Sequence, residues 1–257
     1  MQSKPFSYLF SISYFGARFK GWAKQPEQST VEGKLERVLR FVLGDRSFTL
    51  IGSSRTDSGV SCRKGYLQLF VGKEIDFGPL LPSINAHLGG EIRLEGVEPI
   101  ARDFNLIQSV HQKTYRYFFA SPQDFHPFAS SWVAAVSFSN SLAQMQEIGR
   151  LFVGRHNFKA FCQPSATKLS YEREVESLSV FELRDMPSSF APSQVFAVEV
   201  VGKGFLHHQV RKMVYAIWNW NAAQIQERLQ SPEKEWPAVP TAPSQGLVLW
   251  DTVLNLK

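Results

Sequence analysis

The sequence predicts an α+β fold of two ferredoxin-like units that share a continuous antiparallel sheet, with helices on one face and a cleft between the units. Three observations carry this reading. The chain opens on a strand-like alternating run, the first hundred residues then read β-α-β-β-α-β, and the second half repeats the same logic without detectable sequence repetition. Two similar α+β units in one chain commonly pair their sheets. The N-terminal unit is expected over residues 1–104 and the C-terminal unit over 105–257.

In the first run Phe6, Tyr8, Phe10, Ile12 and Tyr14 alternate with Ser7, Leu9, Ser11 and Ser13, the period of a half-buried strand. A turn follows around Gly16 and Gly21. In STVEGKLERVLRFVLG, Ser29 and Glu32 have capping-box spacing, while Val31, Leu35, Val38, Leu39 and Val42 form one apolar face and Gly44 ends the helix. SFTLIG and GYLQLFVG read as strands, a short helix begins near Pro79, and LEGVEPI reads as the closing strand. In the second half KTYRYFFAS is a strand and SLAQMQEIGRLFVG a helix with Leu142, Met145, Ile148, Leu151 and Phe152 inward. SLSVFEL and VFAVEVVGKG are strands, FLHHQVRKMVYAIWNW is helical with Phe205, Val210, Met213, Val214 and Ile217 as core, and GLVLWDTVL is the last strand. The Pro-rich stretch SPEKEWPAVPTAPSQ reads as a surface loop.

At 257 residues, with 44% hydrophobic and 13% aromatic content, the chain can bury a sizeable core. No apolar run approaches the roughly 20 residues that span a bilayer, and the N-terminus lacks the pattern of a signal peptide. Cys62 and Cys162 are the only cysteines, too few for a disulfide framework, and no CxxC pair offers zinc a site, so a reducing cytoplasm is the expected setting. The net charge of +5 is unevenly spread. Residues 1–73 hold 12 Lys+Arg against 5 Asp+Glu, and the remainder holds 16 against 18. Two later stretches lack acids: Arg150, Arg155, Lys159 and Lys168 in one, Lys203, Arg211 and Lys212 in the other. Together these would suit a phosphate backbone; separately they would solvate three faces.

Gly52–Val60, GSSRTDSGV, places an arginine and a carboxylate among small residues between two strands. Asp57 there is either a turn residue bonded to nearby backbone, with Gly59 at positive φ, or an acid presented to a ligand. Tyr115 and Tyr117 share one side of a strand with Arg116 on the other, and a strand tyrosine either fills the core or stacks on a base. Arg211, four residues after His207, reads either as a snorkelling surface arginine or as a site cation on the same helical face. His207 and His208, as neighbours on a helix, point roughly 100° apart and make poor co-ligands, so no metal is expected.

The ordered series YFGARFKGWAKQ, STVEGKLERVL, SSRTDSGVSC, KTYRYFF, HNFKAF, GKGFLHHQVRKMV and APSQGLVL resembles the TruA-type tRNA pseudouridine synthases over nearly the whole chain. Each element alone is weak; their joint order and spacing is specific. The resemblance implies ferredoxin-like (RRM-like) units and an isomerisation without metal or organic cofactor, in which uracil leaves its ribose at N1, turns and rejoins through C5. It assigns the nucleophile to Asp57, attacking the base C6 or the sugar C1′. It makes Arg211 the cation that favours the ionised carboxylate, Arg55 a group holding the target nucleotide out of the stack, and Leu247 part of the pocket lining. Tyr115 would stack on the flipped base and assist removal of the C5 proton, although a phenol ionises near pH 10 and needs tuning to act as a base. The expected partner is tRNA, modified at uridines 38, 39 and 40 of the anticodon arm by a homodimer, with the basic stretches contacting phosphates.

The sequence departs from the family pattern at Ser61, where a histidine is usual, and at Asn105 and Ile107, where a His and an Arg are usual. TKLSYEREV lacks the usual Arg-Thr pair, and Ala216 and Trp218 replace a helix-end Gly and a smaller residue. These departures bear on substrate choice. The alternative functions are a noncatalytic RNA-binding protein on the same scaffold, which would bind tRNA equally well as Asp57→Ala, and a metal-dependent hydrolase using His207 or His208, which a chelator would silence.

Overall fold

Alternating apolar and small residues make Phe6–Tyr14 the strand β1. The chain continues through α1 (Val31–Leu43), β2 (Phe48–Gly52), β3 (Ser61–Val71), α2 (Leu81–Leu88), β4 (Ile92–Ile100) and the single turn α3 (Leu106–Ser109). It proceeds with β5 (Val110–Ala120), β6 (Ala134–Ala135), α4 (Leu142–Arg150), β7 (Gly154–Asn157), β8 (Glu172–Val175), β9 (Ser177–Leu183) and β10 (Val195–Gly202). Helices α5 (Gln209–Asn219) and α6 (Ala222–Gln230) precede the final strand β11 (Leu247–Leu254). The computed structural model describes residues 4–44, 47–165, 170–183 and 189–256. Two compact units result: Met1–His111 with Leu249–Lys257, and Gln112–Val248.

In the first unit the strand order is β4-β1-β3, antiparallel throughout, with β2 and β11 both beside β3. The α1 crossover therefore joins β1 to β2 with β3 between them, and the α2 crossover joins β3 to β4 with β1 between them. Helix α1 buries Val31, Leu35, Val38, Leu39 and Leu43 and packs against α2, whose Ile84 and Leu88 are fully buried. Each such side chain contributes about 1.5–3 kcal/mol by leaving water. Strand β1 buries Tyr8, Phe10, Ile12 and Tyr14 on one face and Ser7 and Leu9 on the other. Ser7 is buried although it occupies a polar position of the alternation, and its hydroxyl accepts from Gln68 Nε2 at 2.8 Å.

The second unit is built on the antiparallel strands β5-β10-β9, with β6 parallel to β5 and a separate two-stranded sheet of β7 and β8. Helix α4 packs on β9 and against α5 and α6. Phe152, Phe158 and Phe161 are fully buried together, and Tyr117, Phe119 and Trp218 form an aromatic cluster with ring centroids 5.1–5.3 Å apart. Such ring pairs add roughly 0.5–1.5 kcal/mol beyond their buried area.

The fold is thus mixed α+β, and several local expectations change. The N-cap of α1 is Thr30, whose hydroxyl accepts from Gly33 N–H, and not Ser29. Glu32 is drawn off to the Lys24 N–H at 2.8 Å, so the expected capping box does not form. Leu43, and not Val42, completes the buried face of α1. Helix α5 begins four residues later than expected, because His208 adopts a left-handed backbone at φ 61°. The terminal strand lies largely with the first unit, and the first unit runs to residue 111. Lys168, one of the expected phosphate contacts, and the start of TKLSYEREV lie outside the described residues. No helix among the described residues is long and apolar enough to cross a membrane.

Candidate active site

The GSSRTDSGV segment connects β2 to β3 and is fixed by its backbone and small side chains. Ser53 exchanges two hydrogen bonds with Tyr66: its N–H donates to the Tyr66 carbonyl at 2.8 Å and its hydroxyl accepts from the Tyr66 N–H at 3.0 Å. The buried Thr56 hydroxyl pairs with the Tyr14 hydroxyl at 2.8 Å, and the Thr56 carbonyl accepts from Trp22 N–H at 3.1 Å. The turn itself closes by a Val60 N–H bond to the Asp57 carbonyl at 3.2 Å, with Gly59 at φ 81°. A positive φ at the third position of the four defines a type II turn and explains the glycine. Gly59 N–H donates to the Phe19 carbonyl at 3.1 Å, tying the turn to the loop after β1.

Anchoring Ser53, Ser54, Thr56 and Val60 inward leaves Arg55 exposed and Asp57 half-buried. The turn reading of Asp57 and its presentation toward the solvent-facing side are therefore one arrangement. Gly16 crosses this segment so closely that a Cβ there would lie 2.0 Å from the Val60 carbonyl oxygen, and its N–H donates to the Ser61 hydroxyl at 2.9 Å. Ser61 thus has a structural duty in this chain. Just beyond it, Arg63 and Lys64 both lie opposite Ser13, a β-bulge in the β1–β3 pairing. Lys64 meets Asp251 at 3.1 Å, and the Arg63 guanidinium lies over the Trp250 ring at 4.7 Å.

In the second unit the β5 residues divide as the strand period requires. Tyr115 is half-buried and packs edge-to-face on Phe205, with centroids 5.4 Å apart. Tyr117 is fully buried and donates its hydroxyl to the Pro243 carbonyl at 2.6 Å. Burial pushes the Tyr117 phenol far above the usual tyrosine range, against the pull of the Arg211 charge, so it is a standing donor and not a base. Arg116 turns to the opposite face, where it pairs with Glu199 at 2.6 Å.

Arg211 sits in the first turn of α5, half-buried, and its Nε donates to the Ala242 carbonyl at 2.7 Å. His207 precedes the helix, so the shared helical face expected for His207 and Arg211 does not exist. The His207 and His208 rings instead contact one another, with centroids 3.9 Å apart. Leu247 is buried, its N–H bonded to the Ser244 carbonyl at 3.0 Å. Asp57 and Arg55 thus share one rigid connection, while Tyr115, Arg211 and Leu247 belong to the other unit.

Sequence reasoning missed the company Arg211 keeps. The stretch read only as a surface loop buries Val239 and Ala242 and offers its carbonyls to Lys212, Arg211 and Tyr117. The signal was available in the alternation of prolines with small apolar residues in AVPTAP.

A protein-family model described as tRNA pseudouridine synthase matches residues 148–253. Among curated proteins the chain is 31% identical to the tRNA pseudouridine synthase A 2 of Bacillus cereus, over 85% of this chain and 86% of the relative. It is 29% identical to the tRNA pseudouridine synthase A of Mesoplasma florum, over 95% and 97%. It is 30% identical to the tRNA pseudouridine synthase A of Brevibacillus brevis, over 94% and 97%.

Proposed function

The chain belongs to the TruA-type family of tRNA pseudouridine synthases, which are isomerases, and from that membership we propose that it converts uridine to pseudouridine in tRNA with Asp57 as nucleophile. The observation that carries this is the half-buried Asp57 on a turn held by hydrogen bonds at Thr56, Gly59 and Val60. A carboxylate held this way loses little freedom on reaching its target, which is where positioning accelerates a reaction most.

The overall change conserves atoms and electrons. The N1–C1′ bond breaks, a C5–C1′ bond forms, and one proton leaves C5 while one is gained at N1. Nothing is oxidised or reduced, so the chemistry asks for no redox partner and no co-substrate. In this reading Asp57 attacks at C6 or C1′, and Arg211 is the cation of the reaction. The exposed Arg55 holds the target nucleotide out of the stack. Tyr115, braced by Phe205, offers its ring to the flipped uracil, and Leu247 lines the pocket. The proposed substrates are uridines 38, 39 and 40 of the anticodon arm, and the proposed active form is a cytoplasmic homodimer.

Nucleotide-resolution pseudouridine mapping tests this on unmodified tRNAs incubated with purified protein, no added cofactor and a chelator present. Pseudouridine in the anticodon arm is expected. Intact uridines with tRNA binding retained would leave a binding protein on the same scaffold, and loss of activity only with chelator would point to metal-dependent chemistry.

A further inference from the structure

Lys212 is only 5% exposed, an unusual place for an ammonium, and Asp57 chemistry gives it no part. Its Nζ donates to the Val239 carbonyl at 2.6 Å. The adjacent Arg211 is tied twice to the same stretch of chain: its Nε donates to the Ala242 carbonyl at 2.7 Å, and its own carbonyl accepts from the Ala242 N–H at 3.3 Å. Tyr117 supplies the third bond, to the Pro243 carbonyl at 2.6 Å.

The sequence of this stretch, Val239-Pro240-Thr241-Ala242-Pro243, explains why it can act as a row of acceptors. Val239 and Ala242 each precede a proline, which disfavours helical backbone and holds them extended. Pro240 and Pro243 have no N–H to compete for partners. Val239 and Ala242 are themselves 1% exposed, so the stretch is seated in the unit and does not lie loosely on it. Burial holds the Lys212 ammonium below the ordinary lysine range, with Arg211 acting in the same direction.

We propose that Lys212 is a positioning residue for Arg211: by holding the Val239 carbonyl it seats the segment whose Ala242 carbonyl fixes the plane of the Arg211 guanidinium. Bonding at Nε sets the plane of the guanidinium and so the directions of its other N–H donors. The inference rests on the role given to Arg211 above. Lys212 touches no reacting atom in this account, and its effect passes through three residues of backbone.

Two readouts test it in the full-length protein. In turnover on an unmodified tRNA, Lys212→Met is expected to lower kcat by roughly 10- to 100-fold, the range for misplacing a catalytic group by about an ångström. KM should change by less than about threefold. In an Arg211→Lys background the same substitution should cost less than about threefold, because the group it positions is already altered. Equal losses in both backgrounds would show a merely structural role and overturn the proposal, as would an unchanged kcat. The second readout needs no activity: the Arg211 Nε–H, bonded to the Ala242 carbonyl, is expected to give a resonance that exchanges slowly with solvent in the wild type and at least tenfold faster in Lys212→Met. Where that variant does not fold, Pro240→Gly, at an exposed position between the two carbonyls, serves in its place and should speed the same exchange. An unmoved resonance in the variant that folds overturns the proposal. Absence of pseudouridine with the wild type would instead refute the proposed function, while the exchange measurement would still decide the link from Lys212 to Arg211.

Discussion

At the residue scale the turn around Asp57 shows how few side chains hold a candidate nucleophile. Tyr14 and Thr56, both buried, meet inside the protein through their hydroxyls. Tyr14→Phe leaves the Thr56 hydroxyl buried without that partner, so a loss of about 1–3 kcal/mol is expected in denaturant unfolding. Gly59→Ala forces a Cβ into a left-handed backbone and should cost about 1–2 kcal/mol, with a larger proportional loss of kcat because the turn aims Asp57. An alanine variant with unchanged stability and rate would show that the turn tolerates another geometry. The residues that depart from the family pattern also find explanations at this scale. Ser61 accepts from Gly16, Asn105 caps α3 by accepting from Gln108 N–H, and Trp218 packs between Tyr117 and Phe119. Ile107, 63% exposed, has no structural explanation.

At the element scale, strands and helices with strong apolar periodicity were legible before the structure, and their ends were not. Helix α1 offers two adjacent candidates for its cap, and only the path of Lys24, which takes Glu32, decides for Thr30. Thr30→Ala should therefore lower stability by about 1 kcal/mol while Ser29→Ala changes it little, a comparison readable from paired melting curves. The start of α5 is hidden in the sequence because Phe205 and Leu206 continue its apolar pattern, while the left-handed His208 is a conformation that propensity does not foresee. Helix α6 gives little apolar signal because Ile225 is its only fully buried residue, although Asn221 and Gln224 form a complete capping box. Strands β7 and β8 are four residues each and mostly polar, too short for periodicity to register.

At the scale of the whole molecule the charge asymmetry was read correctly as composition but says less about RNA than the bare count suggests. Several N-terminal cations are engaged within the fold: Arg18 and Lys34 both meet Glu91, Lys24 meets Glu36, and Lys64 meets Asp251. The Lys34 ammonium holds the Glu91 carboxyl below the usual carboxylate range, as an engaged pair should. Arg37 and Arg55 are exposed instead, and these are the better candidates for phosphate contact. Affinity for tRNA should fall steeply with salt, and Arg37→Ala or Arg55→Ala should each flatten the log–log slope by roughly 0.7–0.9, whereas Lys34→Ala should not. Equal slopes in all variants would remove Arg37 and Arg55 from the phosphate contact.

The most direct test compares wild type with Asp57→Asn, which keeps the shape but cannot ionise and exchanges one acceptor oxygen for an NH2 donor. Both proteins would be titrated with an unmodified tRNA and then assayed by single-turnover pseudouridine mapping. The expected result is the same affinity within about threefold, pseudouridine formed by the wild type, and none formed by the variant. Pseudouridine formed by Asp57→Asn at the wild-type rate would contradict the assignment and return Asp57 to the turn alone.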